Sequence, residues 1–197
     1  MKHEKMYRGP VEGGFVISKV DAAERQLKTA IWLWFHDFDP VPIHGLAAAA
    51  FKVLWKLHEK HKTGHKMIRD EVIARVKANY RQDFIEMLNE TENFIKHADR
   101  DPFGFHTFNP EMTVMLLLDG VRALAAFNGN FPVECRVFQT WILINRPNLI
   151  DLKSSPEWDA AVKAAQPAMV TSKPEFYRLV LHAIQVGIEQ AIARQHP

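Results

Sequence analysis

A single cysteine, Cys135, stands in 197 residues, so no intramolecular disulfide can form and a reducing, cytoplasmic setting is expected. Long hydrophobic runs are also missing. The most apolar segment, Met112 to Phe127, is too short to span a bilayer and carries Asp119 and Arg122, so no membrane partner is expected. Nowhere do polar and apolar residues alternate over the length of a strand, which argues against a sheet. Internal repeats and low-complexity segments are lacking too. Charge of one sign is scarce overall: 25 Lys and Arg against 23 Asp and Glu leave a formal charge of +2, too little to define a partner. Residues 1–17 begin with Lys2, Glu4, Lys5 and Arg8 and have no apolar core segment, so they read as a flexible tail and not as a signal peptide.

What the chain has is an apolar fraction of 47%, spaced for helices. Ser18 and Asp21 form a capping-box pattern ahead of a helix to Phe35, with Val20, Ala23, Leu27, Ile31 and Trp34 on one face. A turn at His36 to Pro42 leads to a second helix from Ile43, whose small run Ala47 to Ala50 permits close approach and which Gly64 ends. A basic helix is expected over Met67 to Asn79. The next, Gln82 to Ala98, places Phe84, Met87, Leu88, Phe94, Ile95 and Ala98 on a buried stripe. Glu86, Glu90, Asn93 and His97 then face away from the core. Asn109-Pro110-Glu111 is a strong helix start, and the helix it opens is apolar nearly all round, as suits the middle of a bundle. Further helices are expected from Pro132, over Pro156 to Ala165, and from Pro174. The fold class that follows is all-α, a bundle of about six to eight helices. Its core covers 18–146, and 147–197 forms a C-terminal helical extension packed on it.

Three groups of residues could carry chemistry. Between Lys52 and Arg81 stand nine basic residues against three acidic ones, a local charge of +6 that leaves the remainder acidic and permits contact with phosphates. A solvated helical hairpin explains the same charges. His58, His61 and His65, with His44 upstream, have a spacing used by helical metal sites, yet Gly64 interrupts the set and neighbouring lysines repel a cation. No metal is therefore expected there, nor any cofactor. His36-Asp37 with Asp39, His44, His97 and Asp99 offers the bare ingredients of a metal-dependent hydrolase, with the dipeptide in a turn. Asp119 and Arg122 could pair with each other or with a partner helix. Cys135 has no neighbouring acid or base to activate it. The aromatic set Trp32, Trp34, Phe35 and Phe38 covers more than one helix face, which fits either a dimer interface or a bulky core.

The densest cluster is Glu92-Asn93-Phe94-Ile95-Lys96-His97 followed by Asp99, Arg100 and Asp101. It resembles the R-N-x-x-x-H pattern of HEPN-type helical nucleases, with Asn93 and His97 in register and Glu92 standing where that family has arginine. Arg100 to His106 is a second, looser match to the family's Arg-to-His spacing. The resemblance implies a HEPN-like core and a homodimer that brings these residues together across its interface. It also implies metal-free RNA cleavage in which His97, Asn93 and Arg100 act on the 2′-hydroxyl. Lys96, Asp99, Asp101 and His106 would then bind RNA or a nucleotide. The blocks Asp39 to His44 with Leu46 to Ala50, Asn93 to Pro102, and Phe108 to Glu111 are similar to a family of uncharacterised bacterial proteins. That implies importance for the Asn93 to Pro102 stretch without an activity. Two other readings stand beside this one. The protein could be a non-catalytic helical binding protein, with Asn93 and His97 as ordinary solvent-side residues and Lys96 and His97 merely complementing the helix dipole. It could also be a metal-dependent hydrolase using His36, Asp37, His44, His58 and His61.

Overall fold

Seven α-helices and one short 3-10 turn, with no strand, make up the residues described by the computed structural model, 12–97, 99–128, 132–146 and 171–195. The helices are α1 (Lys19–Phe35), α2 (Pro40–His61), α3 (Ile68–Arg75), α4 (Arg81–Lys96), α5 (Pro110–Asn128), α6 (Val133–Asn145) and α7 (Lys173–Gln195), with the 3-10 turn at Ala78–Tyr80 before α4. The N-terminal part of the tail and the helix expected over Pro156 to Ala165 lie outside the described residues. No helix among the described residues is long and apolar enough to cross a membrane.

Local chemistry sets most of the ends. The Ser18 hydroxyl accepts from the Asp21 amide and the Asp21 carboxylate accepts from the Ser18 amide, each at 3.0 Å, completing the capping box of α1. Helix α2 starts at Pro40, three residues earlier than the spacing of apolar residues suggests. Asp39 caps it by accepting from the Val41 amide at 2.9 Å, and the prolines of the first turn have no amide to leave unpaired. It closes at Lys62, which adopts a left-handed conformation at φ 50°, so Gly64 follows the stop instead of making it. The single helix expected over Met67 to Asn79 is divided into α3 and the 3-10 turn, because Val76 and Lys77 are extended.

The centre of the bundle is α5, which buries Val114, Leu117, Leu118, Val121, Ala123 and Leu124 against α1 and α2. Ala47, Ala48 and Ala50 are buried on α2, where their small side chains let neighbouring backbones come close. Gly120 serves the same purpose on α5: a Cβ there would lie 3.0 Å from Leu27 Cδ2 of α1. A second aromatic layer joins α1, α6 and α7. Phe35 stacks on Phe176 at 6.0 Å, and the edge of Trp34 meets Trp141 at 4.7 Å. Trp34 and Phe35 thus serve the core, while Trp32 and Phe38 remain exposed on the surface.

Helix α4 departs most from its pattern. Met87, Phe94 and Ile95 are exposed, and Glu92 is the buried residue of this helix. The inward side runs through Ile85, Leu88, Asn89 and Glu92 at helical spacing, with Asn93 and His97 half-buried. Polar contacts fix this rotation. Glu92 reaches Lys52 of α2 and Asn89 accepts from Arg69 of α3. The helix also ends at Lys96, well before Asp101-Pro102, with His97 as the first residue outside it.

Candidate functional site

The end of α4 and the loop behind it enclose an open cleft of about 580 Å³. The His97 amide donates to the Asn93 carbonyl at 3.0 Å, closing the helix, and the Arg100 amide donates to the His97 carbonyl at 3.0 Å. The Gly104 amide then donates to the Asp101 carbonyl at 2.9 Å. These consecutive turns fold the chain back along α4. A Cβ on Gly104 would fall 2.5 Å from Asp101 Oδ2, so a larger residue there has to displace the Asp101 side chain.

Five residues expected at the site line this cleft together: Asn93, His97, Arg100, Asp101 and His106. Glu86, Glu90, Phe94 and Phe105 complete the wall. Lys96 and Asp99 are not part of it; Asp99 is exposed, and Lys96 turns to Glu92. His106 is nearly enclosed. Its Nε2 shares a hydrogen bond with the Thr91 hydroxyl at 2.7 Å, its Nδ1 lies 3.6 Å from Glu90 Oε1, and its ring stacks obliquely on Phe94 at 5.4 Å. Three carboxylates thus face one guanidinium in the cleft, with two imidazoles between them. Such a wall repels a long polyanion and suits a smaller ligand with hydroxyl or amide donors.

Behind the cleft stands a polar node. Glu92 Oε1 accepts from Lys52 Nζ at 3.1 Å and from Lys96 Nζ at 2.6 Å. Burial pushes the Glu92 carboxyl up, but the two ammonium groups outweigh it and hold the carboxyl below the usual carboxylate range. An arginine at this position would meet two lysines. The departure at Glu92 is therefore a structural anchor, and Lys96 is held by it instead of facing the cleft. Next to the node, buried His44 shares a hydrogen bond with the Thr113 hydroxyl at 3.0 Å, and burial lowers its pKa against the opposing pull of Glu92. Sequence reasoning missed the partnership of Lys52, Glu92, His44 and Thr113. The Glu92–Lys96 spacing of four was its one local sign.

Several of the other candidate groups resolve into structural contacts. His58 is buried, its Nε2 donates to the Ala123 carbonyl at 2.8 Å, and its Nδ1 shares a hydrogen bond with the Thr63 hydroxyl. His36 Nδ1 donates to the Trp32 carbonyl at 2.7 Å, and Asp37 pairs with Lys173 at 3.0 Å. Among the described residues no three His, Cys, Asp or Glu side chains are grouped to hold a metal ion. Asp119 spends both oxygens on backbone amides, with Arg122 acting on it only through its charge. Its two oxygens accept from the amides of Ile68 at 2.9 Å and Arg69 at 3.1 Å, capping α3 from another helix. Burial raises its pKa despite these bonds. Cys135 is buried, and burial pushes its thiol up to about 12, which removes it as a nucleophile at neutral pH. Of the nine basic residues between 52 and 81, Lys52 and Lys56 pair with carboxylates, Arg69 with Asn89, and Arg81 with main-chain carbonyls.

No family model, curated protein or solved structure matches this chain.

Proposed function

We propose that the cleft between α4 and the following loop binds a nucleotide, free or at the end of an RNA strand, in the manner of a HEPN-like helical protein. One observation carries this reading: Asn93, His97, Arg100 and His106 share a cleft with two exposed aromatic rings, Phe94 and Phe105. Rings of this kind stack on bases, Arg100 supplies a planar partner for phosphate, and Asn93 and the carboxylates suit base edges and ribose hydroxyls. His97 is the cleft imidazole available for metal-free attack by a 2′-hydroxyl on the adjacent phosphate, taking the hydroxyl proton while the 5′-oxygen leaves and is protonated from water; His106, tied to Thr91 and Glu90, serves binding. Arg100 is the cation placed to balance charge in that step, because Lys96 is engaged with Glu92.

The test is titration of tag-free protein with a mononucleotide set and with short RNA in excess EDTA, with His97→Ala and Arg100→Ala in parallel. Binding weakened by both variants supports the reading. Cleavage lost in His97→Ala extends it to a metal-independent ribonuclease. Absence of binding to every nucleotide refutes it.

A second reading is favoured by the apolar surface beside the same cleft. Phe103 and Phe105 are 90% and 101% exposed, and Met87, Phe94 and Ile95 lie exposed along α4. Such a row suits a non-catalytic interaction protein or a homodimer that closes over the cleft.

A further inference from the structure

We propose that residues 62–67, the connection between α2 and α3, form an acid-sensitive latch that neutral His65 holds shut against His58 and that protonation of His65 releases. The backbone makes the contact possible. Lys62 and Gly64 both adopt left-handed conformations, at φ 50° and 76°, and this double turn brings the chain back over the end of α2. The His65 ring then lies on that of His58, with the centres 4.8 Å apart. The Thr63 hydroxyl joins the two residues, sharing a hydrogen bond with His58 Nδ1 and accepting from the His65 amide at 3.3 Å. A residue with a Cβ is disfavoured in the left-handed region, so these contacts hold Lys62 in a conformation it otherwise avoids.

The histidine pair accepts a further charge poorly. His58 is buried, with its Nε2 committed to the Ala123 carbonyl of α5. His65 Nε2 is buried as well and has no hydrogen-bond partner among the described residues. In the neutral ring that leaves one unpaired neutral group, whereas protonation creates a buried cationic N–H with no acceptor. The surroundings act in the same direction. Burial lowers the His65 pKa most, His58 of α2 and Arg122 of α5 lower it further, and Glu71 of α3 opposes them. Lys62 and Lys66 flank the ring along the chain, and His61 packs on Phe127 at 5.7 Å beside His58, which meets the same ring at 5.4 Å. Because the folded pKa lies below the ordinary 6.5, the latch is fully stable above that value and loses stability as the pH falls toward the folded one. What opens is local. Met67, the last residue of the connection, is buried, while α3 buries no side chain of its own and is anchored through the Asp119 cap and the Arg69–Asn89 contact. Release of His65 therefore loosens Met67 and the start of α3 and leaves the packing of α1, α2 and α5 in place.

The test is amide hydrogen exchange on the full chain at about pH 7.5 and about pH 5, each rate referred to that of an unstructured peptide at the same pH, together with an NMR titration of the His65 ring. Protection at Ile68 and Arg69 is expected to fall roughly tenfold at the lower pH while amides within α1 and α5 keep theirs. The His65 ring is expected to titrate below 6.5. His65→Phe keeps a ring against His58 but takes up no proton, so its protection should be the same at both values. This variant also separates His65 from Asp119, whose carboxylate caps the same two amides. The proposal is overturned by protection that does not change with pH in the wild type, by an equal loss in His65→Phe, or by a His65 ring that titrates at or above 6.5. If His65→Phe fails to fold, the wild type decides: the loss of protection has to follow the His65 titration curve, and a loss with a different midpoint overturns the latch.

Discussion

At the scale of single residues, Glu92 shows how one side chain can reverse a motif's meaning. The neighbouring Asn93 and His97 line the cleft, but Glu92 is turned inward and ties α2 to α4 through Lys52 and Lys96. Replacement by glutamine leaves both ammonium groups without their counter-charge. We expect Glu92→Gln to lose about 2 kcal/mol at pH 7, less than for a fully buried pair because both lysines are partly exposed. Chemical denaturation measures this. Its pH dependence has a definite sign. The folded carboxyl lies below the ordinary value of 4.5, so its contribution is present above that value and lost as pH falls through the folded one. The wild type and Glu92→Gln should therefore converge in acid, and a constant gap down to pH 2 would contradict the ion-pair account. Asp119 behaves oppositely. Its folded pKa lies above the ordinary 3.8, so its protonated form is favoured by burial and stability from this group declines as pH rises through the folded value.

Among the helices, the ends were more legible than the faces. Ser18 with Asp21, and Asn109 ahead of Pro110, are short-range patterns, and the structure uses them where they occur: Asn109 Oδ1 accepts from the Glu111 amide at 3.0 Å. The inward face of α4 was not legible, because it is chosen by Lys52, forty residues earlier, and by Arg69. Apolar periodicity alone places Met87, Phe94 and Ile95 inside, where the structure leaves them exposed. The candidate site was legible as a stretch of sequence, since five of its expected residues share the cleft, whereas the fate of Lys96 depended on a distant partner. Two predictions belong at this scale. Gly120→Val forces a branched side chain against Leu27 where α5 meets α1, and thermal unfolding should show a loss of about 1–3 kcal/mol. Asp119→Asn keeps one acceptor but sets an amide group against the second backbone N–H of α3. It should cost about 1 kcal/mol and speed hydrogen exchange at Ile68 and Arg69 more than elsewhere.

For the whole molecule, the bundle places its apolar and polar surfaces unequally. The α1, α6 and α7 side packs aromatic rings inward, while the α4 side presents Met87, Phe94, Ile95, Phe103 and Phe105 to solvent beside the cleft. The homodimer proposed above would cover that row. Sedimentation at micromolar concentrations should then give twice the 22.7 kDa of one chain, and the double variant Phe103→Ser with Phe105→Ser should sediment as one. A wild type that remains a single chain at all concentrations would count against self-association through this surface.

The long-range cap of α3 has a consequence in time. The first amides of this eight-residue helix are satisfied by a side chain that lies 51 residues further along the chain from Ile68. On a ribosome moving at about 5–20 residues per second, α3 waits roughly 2–9 s after its own synthesis before Asp119 is made. Helices this short do not persist alone in water. Until α5 arrives, the first turn of α3 lacks the acceptors that Asp119 supplies.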